Sequence, residues 1–176
     1  MKTGLVVGKF CPLHLGHEFL INTALSQVDR LLIISYTSRD LGFPVSMRKQ
    51  MLTTRFPTAT VIVPVGEVPD DFGEETVHRE FCFQLAKGVD MIPDVVFSSE
   101  DYGVGFAAYL SERSGKCVAH TEVDKARKTV PVSATMLRNN DTIHHRFIHL
   151  DVRKIIDESS KSSFYACGQN GSHSSQ

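Results

Sequence analysis

The chain has 176 residues, of which 41% are hydrophobic and 22% are charged, and its formal net charge is −1. This length is typical of one compact domain with a sizeable core, and the near-neutral charge provides no basic field for non-specific binding to nucleic acid or a membrane surface. The four cysteines, Cys11, Cys82, Cys117 and Cys167, form no C-x-x-C pair, which argues against a zinc knuckle.

Apolar runs alternate with helical patterns along the chain. Strands are predicted at residues 5–8 and in "RLLIISYT", "ATVIVPV", "PDVVFSS" and "KCVAH". Helices are predicted at residues 17–28, 76–86, 105–113 and 143–156, with another beginning at Ser46 as its N-cap and a short one beginning at Ser133. This alternation predicts the α/β class, with a parallel sheet of about five strands covered by helices.

The domain is predicted to span residues 1–157. Residues 158–176, which are rich in Ser and Gly, are expected to form a disordered tail, in which Phe164, Tyr165 and Cys167 are either a docking segment or without function. The first residues lack the apolar core and cleavage site of a signal peptide, and no run reaches the roughly 20 apolar residues of a membrane span. Together with the unpaired cysteines, this predicts a cytoplasmic protein without a membrane partner.

The stretch "GKFCPLHLGH", residues 8–17, lies where the first predicted strand gives way to the first helix. Helix N-termini at this edge of an α/β sheet attract phosphate, and Gly8 and Gly16 allow a ligand to come close. His14 and His17 are three residues apart and can present two ring N–H donors toward one centre. A lone loop histidine is more often structural, and a metal would need further ligands that the sequence does not group here. The whole stretch therefore indicates a phosphate-binding corner.

A second candidate phosphate clamp lies in "VPVSATMLRNN". Ser133 can cap a short helix, and Arg138, about a turn and a half further, can reach back with its forked donors. The alternative is an ordinary capped helix with a surface arginine. Arg48, beside the second strand, is likewise either a phosphate contact or a solvated surface arginine.

Two further polar segments have simpler interpretations. The basic loop at 125–128 is either a lid over phosphates or solvated. His145 and His149 are interpreted as a solvated helix face rather than a metal site.

Both stretches resemble motifs of one superfamily. "GKFCPLHLGH" resembles the G-x-F-x-P-x-H-x-G-H signature of the nucleotidyltransferase superfamily of adenylyl- and cytidylyltransferases, and "VPVSATMLRNN" resembles its I-S-x-T-x-I-R segment through Ser133, Thr135 and Arg138. The resemblance spans residue 1 to about 156 and implies a Rossmann-like, doubly wound fold. Within the superfamily, the chain most resembles nicotinamide-nucleotide adenylyltransferases of the archaeal and bifunctional bacterial type. It contains no kinase-type phosphate loop, so a form with one activity is implied.

The resemblance implies transfer of AMP from ATP to nicotinamide mononucleotide, giving NAD and pyrophosphate, with Mg²⁺ bound to ATP. The implied catalytic residues are His14, His17, Lys9, Arg48 and Arg138. The implied ATP contacts are Gly8, Lys9, Phe10, His14, Gly16, His17, Ser133, Thr135 and Arg138, and the implied acceptor contacts are Arg48, His78 and Phe81. This branch commonly stacks a tryptophan on the pyridine ring; the chain has no Trp, so His78, Phe81 or Phe83 would supply a ring instead.

The sequence leaves other functions open. The acceptor could be nicotinate mononucleotide, phosphopantetheine or a flavin mononucleotide, or the domain could be a non-catalytic nucleotide sensor. A nucleic-acid-binding role finds little support, because the sequence has no basic stripe with interleaved aromatic residues. The resemblance also implies a homo-oligomer.

Overall fold

The computed structural model describes residues 1–140, 142 and 144–167. Its strands are β1 (Thr3–Gly8), β2 (Arg30–Ser35), β3 (Thr60–Ile62), β4 (Val95–Ser98) and β5 (Ala119–Glu122). Its helices are α1 (Leu15–Leu25), α2 (Val45–Arg55), α3 (Glu75–Gly88), α4 (Tyr102–Ser114), α5 (Ala134–Asn139), α6 (His144–Phe147) and α7 (Leu150–Cys167). Each of the five predicted strands overlaps a strand of the structure, but β1 begins earlier than predicted, at Thr3, and β5 extends further, to Glu122.

The strands form one parallel sheet in the order β3-β2-β1-β4-β5. The chain builds outward from β1 through β2 to β3, then returns to the other side of β1 to add β4 and β5. The strand order reverses beside β1, and this is the point at which open α/β sheets form a crevice outside their carboxyl ends. The topology thus locates a ligand-binding crevice between the ends of β1 and β4.

Helices cover both faces of the sheet. Successive residues of a strand point to opposite faces, so the apolar strands present hydrophobic side chains on both sides. Val6 belongs to a core shared with α1, α2, α5 and α7, whereas its neighbour Leu5 belongs to a core shared with α3 and α4. Both residues are fully buried. The predicted Rossmann-like, doubly wound arrangement is confirmed.

The start of α2 differs from the prediction. Pro44, not Ser46, is the N-cap, and its carbonyl accepts the backbone N–H of Arg48 at 3.0 Å. A proline disfavours helical conformation in the residue before it, which sets the helix start here. The predicted core residues of this helix, Met47, Met51 and Leu52, are all buried.

The C-terminal helix also differs from the prediction. Instead of one helix over residues 143–156, α6 is followed by a separate α7, where the backbone N–H of Asp151 donates to His149 Nδ1 at 3.1 Å. Residue 143 lies outside the described residues. Helix α7 continues to Cys167, well into the segment expected to be disordered, because no Pro or Gly interrupts the sequence before Gly168.

Residues 164, 165 and 167, for which the sequence left open a docking segment or no function, lie in α7, and both alternatives stay open. The rest of the predicted tail, residues 168–176, lies outside the described residues. Within the described ranges, no helix combines the length and apolarity that crossing a bilayer requires.

Candidate active site

A cleft of about 550 Å³ opens at the predicted edge of the sheet. It is bounded by the β1–α1 loop, the N-terminal parts of α3 and α4, and the loop that leads from β5 into α5. Most of the residues predicted from the sequence line it: Gly8, Lys9, Phe10, His14, Gly16, His17, His78, Ser133, Thr135 and Arg138. Segments far apart in the sequence are therefore brought to one site.

The two histidines of the β1–α1 stretch cap helix α1. His14 is the N-cap residue, and its Nδ1 accepts the backbone N–H groups of Gly16 at 3.1 Å and His17 at 3.3 Å. In return, His17 Nδ1 accepts the backbone N–H of His14 at 3.4 Å. This is a reciprocal capping box built from imidazoles instead of the usual hydroxyl and carboxylate.

The capping bonds determine which ring nitrogens carry protons. A nitrogen that accepts a hydrogen bond has no proton, so each neutral ring must carry its proton on Nε2. The rings of His14 and His17 stack with centroids 3.7 Å apart and planes inclined by 18°. Two Nε2–H donors are thereby held side by side in the wall of the cleft.

Both rings are kept neutral by their surroundings. Burial, with a further contribution from the positive charge of Arg127, lowers the pKa of His14 to about 4. Burial, His14 and Arg127 together hold the pKa of His17 well below its ordinary value. The pair therefore presents neutral donors rather than a positive charge to the cleft.

The His14 ring lies so close to the backbone of Gly16 that this position has no room for a side chain. A Cβ on Gly16 would lie 2.9 Å from Cε1 and 3.0 Å from Nδ1 of that ring, closer than side chains approach. Phe10 is buried and packs against the pair, with its ring edge-on to His17 at 4.8 Å between centroids. The glycine and the phenylalanine of the motif thus position the imidazoles.

The predicted second clamp, formed by α5, faces the first. Ser133 caps the helix as predicted, accepting the backbone N–H of Met136 at 3.2 Å. Arg138 donates through Nη1 to the carbonyl of Cys11 at 2.7 Å and through Nη2 to Thr135 Oγ1 at 3.3 Å. The guanidinium therefore ties α5 to the β1–α1 loop while it lines the cleft.

Lys9 forms an ion pair with Asp71, which was not predicted as a site residue. Its Nζ lies 2.8 Å from Asp71 Oδ2, and the Asp71 side chain is only 2% exposed. Burial alone would raise the pKa of Asp71, but hydrogen bonds from Lys9, Thr37 and Ser38 outweigh it and lower the pKa to about 2. The ammonium is half-exposed and keeps donors free to face the cleft.

Arg48, predicted as a catalytic and acceptor-binding residue, does not line the cleft. It is 5% exposed, and it donates through Nε to the Phe43 carbonyl at 3.0 Å and through Nη1 to Ser35 Oγ at 3.0 Å. Ser35 Oγ in turn donates to the carbonyl of Lys9 at 2.9 Å. Arg48 thereby links the first turn of α2 to the ends of β1 and β2 in the interior of the protein.

The α3 side of the cleft carries a chain of hydrogen bonds. His78 Nε2 lies 2.8 Å from the Asp70 carbonyl and must donate to it, so Nδ1 accepts the hydroxyl of Tyr36 at 2.7 Å. The Cys82 thiol donates to Tyr36 at 3.8 Å, and the rings of Tyr36 and His78 stack at 5.7 Å. Tyr36 and Cys82 both line the cleft, although neither was predicted.

Phe81, predicted as an acceptor contact, does not line the cleft. The residues that α3 turns to the core are Cys82, Phe83 and Ala86, so Phe81 lies on the flank of the helix. Its ring meets Tyr36 edge-on at 5.0 Å. Phe83, the other phenylalanine considered, is buried in the core.

The loop between β5 and α5 contributes a further unpredicted residue, Arg127. The backbone N–H groups of Lys128, Thr129 and Val130 converge on the carboxylate of Asp124 at 2.9 to 3.2 Å. This closes the loop so that Arg127 lines the cleft beside the histidines, while its Nη1 donates to the Val132 carbonyl at 3.2 Å. The basic run 125–128 was the sequence signal, but it did not distinguish Arg127 from its neighbours.

A comparison with protein-family models matches residues 5–140 to the cytidylyltransferase-like family. The chain belongs to the cytidylyltransferase-like family. This membership confirms the nucleotidyltransferase superfamily that the two motifs indicated.

Relatives of this cytidylyltransferase-like chain include the trifunctional NAD biosynthesis/regulator protein NadR of Escherichia coli K12, at 28% identity over 168 residues, and that of Salmonella typhimurium LT2, at 29%. Each match covers 85% of this chain and 39% of the relative, so the chain spans about two fifths of the relatives' length.

Similar solved structures include a NadR protein with NAD and AMP-PNP, which has a TM-score of 0.60 and 22% identity. A NadR protein with NR has a TM-score of 0.61 and 22% identity. These matches cover 83% and 84% of this chain, and 44% and 43% of the solved chains. At this identity they establish the fold.

Proposed function

We propose that the protein transfers the AMP moiety of ATP to the 5′-phosphate of nicotinamide mononucleotide, forming NAD and pyrophosphate. The observation that carries the proposal is the His14–His17 pair, with two Nε2–H donors fixed by reciprocal capping. The relatives' names, which include NAD biosynthesis, support the choice of acceptor.

The proposed reaction needs no protein nucleophile. An oxygen of the acceptor phosphate attacks the α-phosphorus of ATP, a new P–O bond forms, and the bond to the bridging oxygen breaks with release of pyrophosphate. Such transfer depends on positioning and on donors aimed where charge develops. The Nε2–H groups of His14 and His17 suit this role because they are neutral and already ordered before substrate binds.

Cationic side chains around the pair would hold the phosphate chain. Lys9, Arg127 and Arg138 line the same cleft. Mg²⁺ would enter as its ATP complex, with ligands from phosphate oxygens and water, as this ion prefers. The cleft carboxylates of Asp71 and Asp124 already accept hydrogen bonds from the protein.

The test is pyrophosphate release from ATP and Mg²⁺ with nicotinamide mononucleotide, nicotinate mononucleotide, phosphopantetheine, flavin mononucleotide or no acceptor. His17→Ala serves as the blank. Release with nicotinamide mononucleotide that disappears in the blank is the expected result. ATP binding without release for any acceptor would instead favour the nucleotide-sensing role, and release with phosphopantetheine or flavin mononucleotide alone would move the function to another acceptor.

A further inference from the structure

The cleft has two chemically different ends. The phosphate end, formed by His14, His17 and Arg138, adjoins the core on the α1 and α5 side of the sheet. The aromatic end, formed by Tyr36, His78, Tyr102 and Phe106, adjoins the core on the α3 and α4 side. A planar base fits the aromatic end, since aromatic side chains bind rings through stacking and edge contacts.

Arg79 places a guanidinium in this aromatic end. It lies on α3 directly after His78, lines the cleft, and has a side chain that is only 18% exposed. Gly105 of α4 leaves room for it: a Cβ at Gly105 would lie 2.6 Å from Arg79 Nη2. The guanidinium of Arg79 therefore lies against α4, in space that the missing side chain of Gly105 leaves open.

The partner of Arg79 is easily displaced. Within the described part of the chain, the structure gives Arg79 one partner, an ion pair from Nη2 to Glu75. Glu75 lies one turn earlier on α3 and its side chain is 72% exposed, so water can solvate it when it leaves. A guanidinium has five N–H donors, and most of those of Arg79 stay available to a ligand.

We infer that Arg79 binds a carboxylate on the acceptor ring, so that the protein adenylates nicotinate mononucleotide as well as nicotinamide mononucleotide and uses the acid with the higher kcat/KM. The inference rests on the proposed function and deepens it. On binding, the ring carboxylate would replace Glu75 and accept two parallel N–H bonds from the guanidinium. A carboxamide has one acceptor oxygen and no charge, so it competes less well with Glu75.

The test measures kcat/KM for nicotinate and nicotinamide mononucleotide in the wild type, Arg79→Gln, Glu75→Gln and Lys87→Gln. Because charge-assisted hydrogen bonds to a carboxylate are lost, Arg79→Gln should lower the acid-to-amide ratio about 10- to 100-fold. Glu75→Gln removes the competitor and should raise the ratio. Lys87→Gln, which removes a positive charge from the same helix outside the cleft, should leave the ratio unchanged.

Three outcomes would overturn the inference. Equal losses with both acceptors would assign Arg79 to the phosphate that they share. An unchanged ratio in Arg79→Gln would make its ion pair structural, and a lower ratio in Glu75→Gln would contradict displacement. Melting temperatures of all variants identify a misfolded protein, and Glu75→Gln keeps the test decisive if Arg79→Gln does not fold.

A failure of the proposed function is visible separately. If the wild type releases no pyrophosphate with either mononucleotide, calorimetric titration of the two acceptors without ATP still measures their relative affinity. Tighter binding of the acid that is lost in Arg79→Gln would support the carboxylate site alone. Equal binding of acid and amide by the wild type would reject it.

Discussion

Lys9 and Asp71 form an ion pair between the β1–α1 motif and the loop that precedes α3, with 2.8 Å between Nζ and Oδ2. Because the carboxylate is buried and also accepts bonds from Thr37 and Ser38, it fixes where the ammonium stands. A flexible lysine is thereby held in the wall of the cleft before any ligand arrives.

If Asp71 acts by positioning Lys9, the two residues are energetically coupled. We expect Lys9→Met to raise the KM for Mg-ATP and Asp71→Asn to raise it by a smaller factor. The double variant should be no worse than Lys9→Met, with a coupling free energy of about 0.5 to 3 kcal/mol. A double-mutant cycle on KM and kcat checks this, and additive losses would show that Asp71 acts independently of Lys9.

Substitutions at His14 should separate catalysis from stability. His14→Ala removes the N-cap acceptor of α1 and should cost about 0.5 to 2 kcal/mol in the free energy of unfolding. His14→Asn keeps a good N-cap residue, so it should be destabilised much less than His14→Ala. Both variants lack the Nε2–H donor, so kcat should fall about 10²- to 10³-fold in each. Urea unfolding and steady-state kinetics check the two effects, and near-normal turnover in His14→Asn would remove His14 from the catalytic machinery.

The buried histidines predict how stability depends on pH. The pKa of His14 is lowered to about 4 in the folded state, so between there and its ordinary value near 6.5 the unfolded chain binds protons that the folded chain does not. Stability should therefore rise with pH across this window, with a contribution from His14 of at most about 3 kcal/mol. Asp71, with a folded pKa of about 2, loses its stabilising contribution only below this window.

Urea unfolding of the wild type and His14→Asn at pH 4.5, 5.5 and 7 measures this contribution. The variant should have the shallower pH dependence. Identical slopes in the two proteins would mean that His14 is not kept neutral by folding.

Arg127 should influence both nucleotide binding and the histidine pair. Arg127→Gln removes a cation from the cleft and should raise the KM for Mg-ATP about 10-fold, as expected for one charge-assisted bond. It should also raise the pKa of His14, which Arg127 lowers in the wild type. Histidine resonances followed by NMR during a pH titration check the second effect. Lys125→Gln is the matched control, because this neighbour pairs with Asp101 and Glu122 instead.

Two helical glycines should respond oppositely to alanine. At Gly103 a Cβ would lie 2.1 Å from His120 Nε2 and 2.3 Å from Ser98 Oγ, two groups that bond each other at 2.8 Å. Gly103→Ala should therefore destabilise by about 1 to 3 kcal/mol through overpacking. At Gly88 nothing lies within 4 Å, so alanine should stabilise by up to about 1 kcal/mol through helix propensity. Thermal unfolding of both variants measures the difference.

The strands and the junction between β1 and α1 could be predicted from the sequence because they depend on local pattern. Apolar runs locate the strands, and the glycines and histidines that follow the first strand indicate the phosphate-binding corner, but the capping box of His14 and His17 was not predicted. The sequence did not show that Arg48 and Phe81 lie outside the lining of the cleft, because a helix-sized segment does not reveal how the helix is rotated against the sheet. Residue Asp71 lies in an acidic loop with several carboxylates, and only tertiary structure distinguishes the one that is buried against Lys9.

The hydrogen bond from Arg138 to the Cys11 carbonyl joins residues 127 positions apart. Closing a contact of such long sequence separation costs chain entropy, which the ordering of the domain between the two residues has to offset. No N-terminal fragment that stops before α5 contains both sides of the phosphate end. A ligand that needs both sides of the phosphate end should therefore bind only when nearly the entire domain has its native topology.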